Sequence, residues 1–231
     1  MELGYLERNL QGIRERIRDA ERKAGRKEHQ VQLIAAVKYA EIEEIRELCR
    51  LGVCDLGENR VQQLLAHYEQ LENREELRIH FIGSLQTNKV KYIIDKVCMI
   101  HSLDSLKLAA EIDRQAQKHG LCMDVLVEIN SGEEESKGGL APAEVESFCL
   151  QLSEFSHIRL CGFMTMAPKC EKKEDYLKYF QQTYEQVLDI WTKKLHNIDR
   201  PILSMGMSES FEEAIACGSD MVRVGRSLFV R

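Results

Sequence analysis

The chain has few of the features that divide, export or anchor a protein. Its 231 residues hold only three prolines, and no stretch rich in proline, glycine and serine marks a linker. The eight cysteines form no C-x-x-C pair and no His–Cys cluster at zinc-ligand spacing. They read as scattered, reduced thiols of a cytoplasmic protein, with neither a metal site nor a disulfide framework expected. No apolar run reaches the roughly 18 residues of a membrane span. The N-terminus is charged from Glu2 onward and carries none of the blocks of a secretory leader. With 32 basic against 38 acidic residues the net charge is -6, which argues against a general nucleic-acid face. The expectation is one domain over 1–231, long enough for a large core, with no nucleic-acid or membrane partner.

What the chain does contain is rhythm. Leu3, Leu6, Leu10, Ile13, Ile17, Ala20 and Ala24 alternate three- and four-residue steps and form one apolar stripe, with Gly25 as the stop. This predicts a helix packed across the rest of the domain; about three heptads ending in alanine make a poor coiled-coil seam. From residue 31, short β-branched runs alternate with amphipathic stretches. Strands are expected over 31–37, 54–56, 78–82, 97–101, 123–129, 158–164, 201–205 and 221–224. Helices are expected from Ile42 to Gly52, over 59–71, after Thr87, from Asp104 to Gly120, after Pro142, over 173–195, and from a Ser208 cap to Gly218. Eight βα alternations in this length match a (β/α)8 barrel, an α/β fold, with one extra N-terminal helix. A doubly wound open sheet uses the same alternation, but its G-x-G-x-x-G fingerprint does not occur.

In such a barrel the site forms at the C-terminal ends of the strands. The first strand runs through Ala35-Ala36-Val37 into Lys38, whose stem would be desolvated at the rim. Desolvation disfavours an ammonium and leaves an amine able to attack an aldehyde. The plainer alternative is a lysine that snorkels from a strand end into solvent. Barrels frequently bind phosphate with the loops after strands seven and eight. Here those loops are Ser204-Met205-Gly206-Met207-Ser208 and Arg223-Val224-Gly225-Arg226-Ser227. Each offers a glycine for close backbone approach, and Ser208 offers a hydroxyl at an expected helix start. Strands one and eight are neighbours in a closed barrel, so Lys38 would meet a phosphorylated aldehyde held by these loops. Further rim candidates are Gly57-Glu58-Asn59, His80-Phe81-Ile82-Gly83 and Asn130-Ser131-Gly132. His80 reads equally well as a satisfied core histidine, the Glu133-Glu134-Glu135 run as a solvated loop edge, and Met164 and Met166 as packing residues.

Several of these motifs occur together elsewhere. A-A-V-K at 35–38, G-E-N at 57–59, H-F-I-G-x-L-Q-x-N-K at 80–89, S-M-G-M-S at 204–208 and V-R-V-G at 222–225 resemble the YggS/PROSC family of pyridoxal phosphate homeostasis proteins. That family is related to the N-terminal barrel of alanine racemase and lacks the racemase's C-terminal β domain. The resemblance implies that Lys38 carries pyridoxal 5'-phosphate as a Schiff base. Ser208 and the backbone at Gly225 and Arg226 would hold the phosphate, Arg223 would face the pyridine nitrogen, and Asn59 would lie near the ring. A guanidinium stays charged and leaves the ring a weak electron sink, which suits a protein that holds cofactor and passes it to apoenzymes. The chain departs from the family in having Val37 for a common Ser or Thr and Glu41 for a common Pro. It also has Arg60 for a frequent aromatic and Arg226 for a small residue. Two other functions are compatible with a rim lysine: an amino-acid racemase, which needs a second proton-transfer group opposite it, and a Schiff-base aldolase acting on phosphosugars. A monomer is expected, since the β domain builds the racemase dimer.

Overall fold

The structure, a computed structural model, describes residues 3–133, 138–193 and 200–231. Eight parallel strands close into a barrel in sequence order: β1 (Gln32–Ala36), β2 (Asp55–Glu58), β3 (Arg78–Phe81), β4 (Met99–Leu103), β5 (Met123–Ile129), β6 (Ile158–Thr165), β7 (Ile202–Met207) and β8 (Met221–Val224). Closure is made by β1 against β8, with Ala35 opposite Val224. The helices are α1 (Gly4–Lys23), α2 (Ile42–Arg50), α3 (Val61–Gln70), α4 (Leu106–His119), α5 (Val145–Leu152), α6 (Lys173–Thr192) and α7 (Phe211–Ala216). The end of the expected 173–195 helix, Leu195, lies outside the described residues, as do Glu134 and Glu135.

The β5 and β8 spans agree with the sequence reading; elsewhere strand ends shift by at most two residues. The larger differences have local causes. The short helix expected after Thr87 is there as a 3-10 helix (Thr87–Tyr92), whereas no helix follows β8 among the described residues. The ring slot beside β8 and β1 is taken by α1, which packs against α7 and α2. Leu6, Leu10, Ile13 and Ile17 are buried there with Val222, Val224 and Leu228. Asn9 Nδ2 donates to the carbonyls of Leu228 (3.0 Å) and Val230 (2.8 Å), and Arg16 pairs with Glu212 of α7 at 3.0 Å. The extra helix is therefore a member of the outer ring. The start of α4 is capped by Ser105, whose Oγ accepts from Leu108 N–H, so Asp104 is left free of the capping role expected for it.

Strand alternation sorts the side chains. Ala35, Val37, Val222 and Val224 face the helices, while Ile34, Met99, Leu126, Met164 and Met221 meet inside the barrel. No helix among the described residues is long and apolar enough to cross a membrane. If α1 is integral to the ring, Leu10→Ala, at a side chain 2 % exposed, lowers stability by about 2–5 kcal/mol. Urea titration checks this; a loss below about 1 kcal/mol would make α1 a dispensable appendage.

Candidate functional site

The C-terminal rim of the barrel opens into a cavity of about 510 Å3 whose wall includes Lys38, Asn59, Ser208, Arg223, Gly225 and Arg226. The volume is in the range of small-molecule pockets. All six nominated residues, drawn from four strands and their loops, thus face one space.

Two of the loops are tied together by a single hydroxyl. Ser208 Oγ accepts from the backbone N–H groups of Gly225 (3.3 Å) and Ser227 (3.4 Å). This corrects the expectation that Ser208 caps the following helix. β7 runs on to Met207, α7 starts only at Phe211, and its N-cap is Ser210, which receives Met207 N–H on its Oγ at 3.2 Å. Ser208 turns the other way, toward the amides after β8. Gly206 makes that turn possible: its φ is +88°, and a Cβ there would lie 2.6 Å from Ala214 Cβ. Gly225 is required by closure, since a Cβ would stand 2.8 Å from the Ala36 carbonyl oxygen. The Arg226 side chain is exposed and pairs with Glu209, so from this position the backbone is what lies nearest the amide cluster.

Lys38 differs from expectation in its solvation. β1 ends at Ala36 and Val37 is its last buried neighbour, so the lysine stem leaves the wall for an open cavity. The residue is exposed, with Nζ 4.9 Å from the centroid of the Tyr39 ring, itself 80 % exposed. The desolvated amine read from the sequence is not what this geometry provides. Glu41, in place of a family proline, begins α2: its N–H donates to Glu44 Oε2 at 2.8 Å. Arg60 is exposed at the start of α3.

Gly57 and Glu58, expected in a loop, complete β2, and a Cβ at Gly57 would strike Ile82 and Ile34 at 2.8 and 2.9 Å. Asn59 follows at the rim, and its Oδ1 is buried without a hydrogen-bond partner among the described residues. Such an acceptor is costly unless something donates to it. His80 is the satisfied core histidine: Nε2 faces Asp55 Oδ1 at 3.1 Å and Nδ1 faces His101 Nε2 at 3.0 Å. Ser131 receives the Thr165 hydroxyl at 2.9 Å, outside the cavity wall. Met164 packs inside the barrel, whereas Met166 lines the cavity.

Arg223 sits within β8, not in the loop after it, and projects inward at 4 % exposure. Nη1 donates to Ser204 O (2.7 Å) and Ser204 Oγ (2.6 Å), and Nη2 to Thr165 O (2.9 Å). Burial lowers its pKa to about 10, a shift that Glu128 opposes, so the guanidinium remains charged at neutral pH. Ser204 and Thr165, the acceptors that hold it, were not singled out as such in the sequence. Ser204 belongs to the S-M-G-M-S run, whose sequence points to a phosphate loop.

The match to known proteins spans nearly the whole chain. The family model described as alanine racemase, N-terminal domain, matches residues 8–231. A pyridoxal phosphate homeostasis protein of Aquifex aeolicus is 43% identical over 220 residues, 95% of each chain. A crystal structure of an unknown protein from Bifidobacterium adolescentis superposes with a TM-score of 0.92 at 34% identity, covering 98% of this chain and 95% of that one. PipY of Synechococcus elongatus PCC7942, solved with PLP bound, superposes with a TM-score of 0.81 at 31% identity, covering 91% of this chain and 99% of that one.

The polar interior leaves a signature in acid. Burial alone would raise the Asp55 pKa, but hydrogen bonds from His80 and Arg78 outweigh it and bring the value from 3.8 down to about 2. A depressed carboxyl stabilises the fold above its unfolded pKa and loses that contribution as pH falls toward the folded value. Asp55 should therefore contribute about 2 kcal/mol that disappears between about pH 4 and pH 2. Denaturant titrations across that window should show a shallower pH slope in Asp55→Asn than in the parent protein; equal slopes would contradict the assignment.

Proposed function

The chain belongs to the alanine racemase N-terminal domain family, together with the pyridoxal phosphate homeostasis proteins, and on that premise we propose that it binds pyridoxal 5'-phosphate at Lys38 and serves cofactor homeostasis. The observation that carries the reading is the shared cavity: an amine on one side and the amide cluster of the β7 and β8 loops on the other. The residues fit the group. At Gly225 the backbone itself reaches the cavity wall, where a Cβ would strike the Ala36 carbonyl; the Gly225 and Ser227 amides, which donate to Ser208 Oγ, would turn to a phosphate beside the Ser208 hydroxyl; and the buried Asn59 Oδ1 is an acceptor without a partner among the described residues.

Lys38 would hold the cofactor covalently, its amine taking the place of the aldehyde oxygen, which would leave as water. When bound, the cofactor supplies an electron sink for carbanion chemistry. Arg223 limits that use, because a cation already donating to Ser204 and Thr165 cannot pass a proton to the pyridine nitrogen. The reading is thus of a carrier without robust turnover, able to release cofactor to apoenzymes. We place it in the cytoplasm as a monomer; eight scattered cysteines fit a reducing compartment.

Mixing the protein with pyridoxal 5'-phosphate should give a visible absorption band, and borohydride should fix the label on Lys38. Lys38→Ala should lose both. Ser208→Ala should weaken binding by roughly ten- to a hundredfold, the worth of a hydrogen bond to a charged group. A loaded sample with Lys38 unmodified would end the proposal. A phosphosugar aldolase would show no such band as purified, and α-proton exchange of amino acids far above that of free cofactor would favour a racemase.

A further inference from the structure

A row of polar side chains runs through the barrel interior to Arg223, and His101, His80 and Asp55 in it have no part in the proposed function. Arg223, Ser204, His101, His80 and Asp55 come from β8, β7, β4, β3 and β2, and each is buried at an inward position of its strand. The contacts run in series: Arg223 Nη1 to Ser204 Oγ at 2.6 Å, Ser204 Oγ to His101 Nδ1 at 3.1 Å, His101 Nε2 to His80 Nδ1 at 3.0 Å, and His80 Nε2 to Asp55 Oδ1 at 3.1 Å. Asp55 is fixed in turn by both arms of Arg78 (2.7 and 2.6 Å) and by Gln32 Nε2 at 2.5 Å. The row begins at the first residues of β2 and β3, at the N-terminal end of the barrel, and finishes in the cavity wall.

Donor and acceptor chemistry leaves the row two directions. The Asp55 carboxylate can only accept, so His80 Nε2 carries a proton. Burial above all pushes the His101 pKa well down, so this ring is neutral, with one nitrogen donating and one accepting. With its proton on Nε2, His101 donates to His80 Nδ1 and takes the Ser204 hydroxyl proton on Nδ1, leaving the Ser204 lone pairs for Arg223. With its proton on Nδ1, His101 accepts from His80 and donates to the Ser204 oxygen that Arg223 also uses, so two donors converge on one hydroxyl. The first direction is the one that serves the guanidinium.

We propose that His101 and His80 are positioning residues for Arg223: oriented by Asp55, they turn the Ser204 hydroxyl proton away from the guanidinium and so hold that cation in the cavity wall. This rests on the reading that Arg223 faces the ring of the bound cofactor. Cofactor binding then depends on two histidines that never touch the ligand.

The test has two arms. In the cofactor-free protein at pH 7, long-range 1H–15N NMR of the imidazoles should show His101 protonated on Nε2 and not on Nδ1. A His101 protonated on Nδ1, or doubly protonated, overturns the proposal. In the second arm, His101→Leu should shift the visible band of the pyridoxal 5'-phosphate complex and speed its release about tenfold, while His101→Gln, which can accept from Ser204 and donate to His80, should return both toward the parent values. His101→Leu with parental band and release rate would refute the positioning role. Should His101→Leu not fold, release from Ser204→Ala, which breaks the row one step later, must show the same acceleration, and parental release there refutes it equally. A parent protein with no band would instead sink the cofactor reading, and the NMR arm would still decide the arrangement of the row.

Discussion

The parallel pairing of β1 with β8 turns eight strands into a barrel, and the site depends on how tightly that seam closes. Ala35 lies opposite Val224, and one residue further the Ala36 carbonyl comes so near Gly225 that no Cβ fits between them. The same step sets Lys38 two residues beyond the end of β1 and the Gly225 and Ser227 amides just beyond the end of β8. An open sheet with the same strands would leave these groups on opposite edges. Closure therefore brings the exposed Lys38 and the amide cluster beyond β8 to one cavity, and α1 guards the seam by burying its apolar stripe over β8 and fastening Leu228 and Val230 through Asn9.

How far the sequence reveals this depends on whether the signal is local. β5 is apolar and β-branched from Met123 to Ile129 and is read to the residue. Gly120 and Gly25 stop their helices because both adopt the left-handed conformation that glycine tolerates. Lys38, Gly225 and Ser208 are found because barrel topology says which strand ends must meet. Contacts between distant segments are less accessible. Ser208 and Ser210 are equally good caps by composition, and only the position of the β8 loop decides that Ser208 turns to Gly225 while Ser210 precedes α7. The slot taken by α1 is the one left without a helix after β8 among the described residues, which no pattern within α1 announces. His101 lies in a short run, M-I-H-S-L, that reads as an ordinary buried strand, and its meaning appears only when β3 and β7 flank it in space.

The inward polar row raises the question of why a barrel core would carry it, since burying an arginine and two imidazoles costs more than burying aliphatic side chains of the same size. Its bonds are all made, which removes most of that cost. What remains is the charge on Arg223, whose hydrogen-bond acceptors are two carbonyls and a hydroxyl, none of them anionic. The nearest compensation is Glu128, but burial and the repulsion of Asp104 push its pKa up to about 7, against the opposing pull of Arg223. Near neutral pH that carboxyl is only partly ionised, so the guanidinium is incompletely neutralised by the protein. A phosphorylated ligand brings negative charge into the same cavity, where low dielectric strengthens attraction to the cation. On the proposed reading, the protein leaves part of its charge balance to its cofactor, and a fixed Arg223 lets that attraction act without first ordering the side chain.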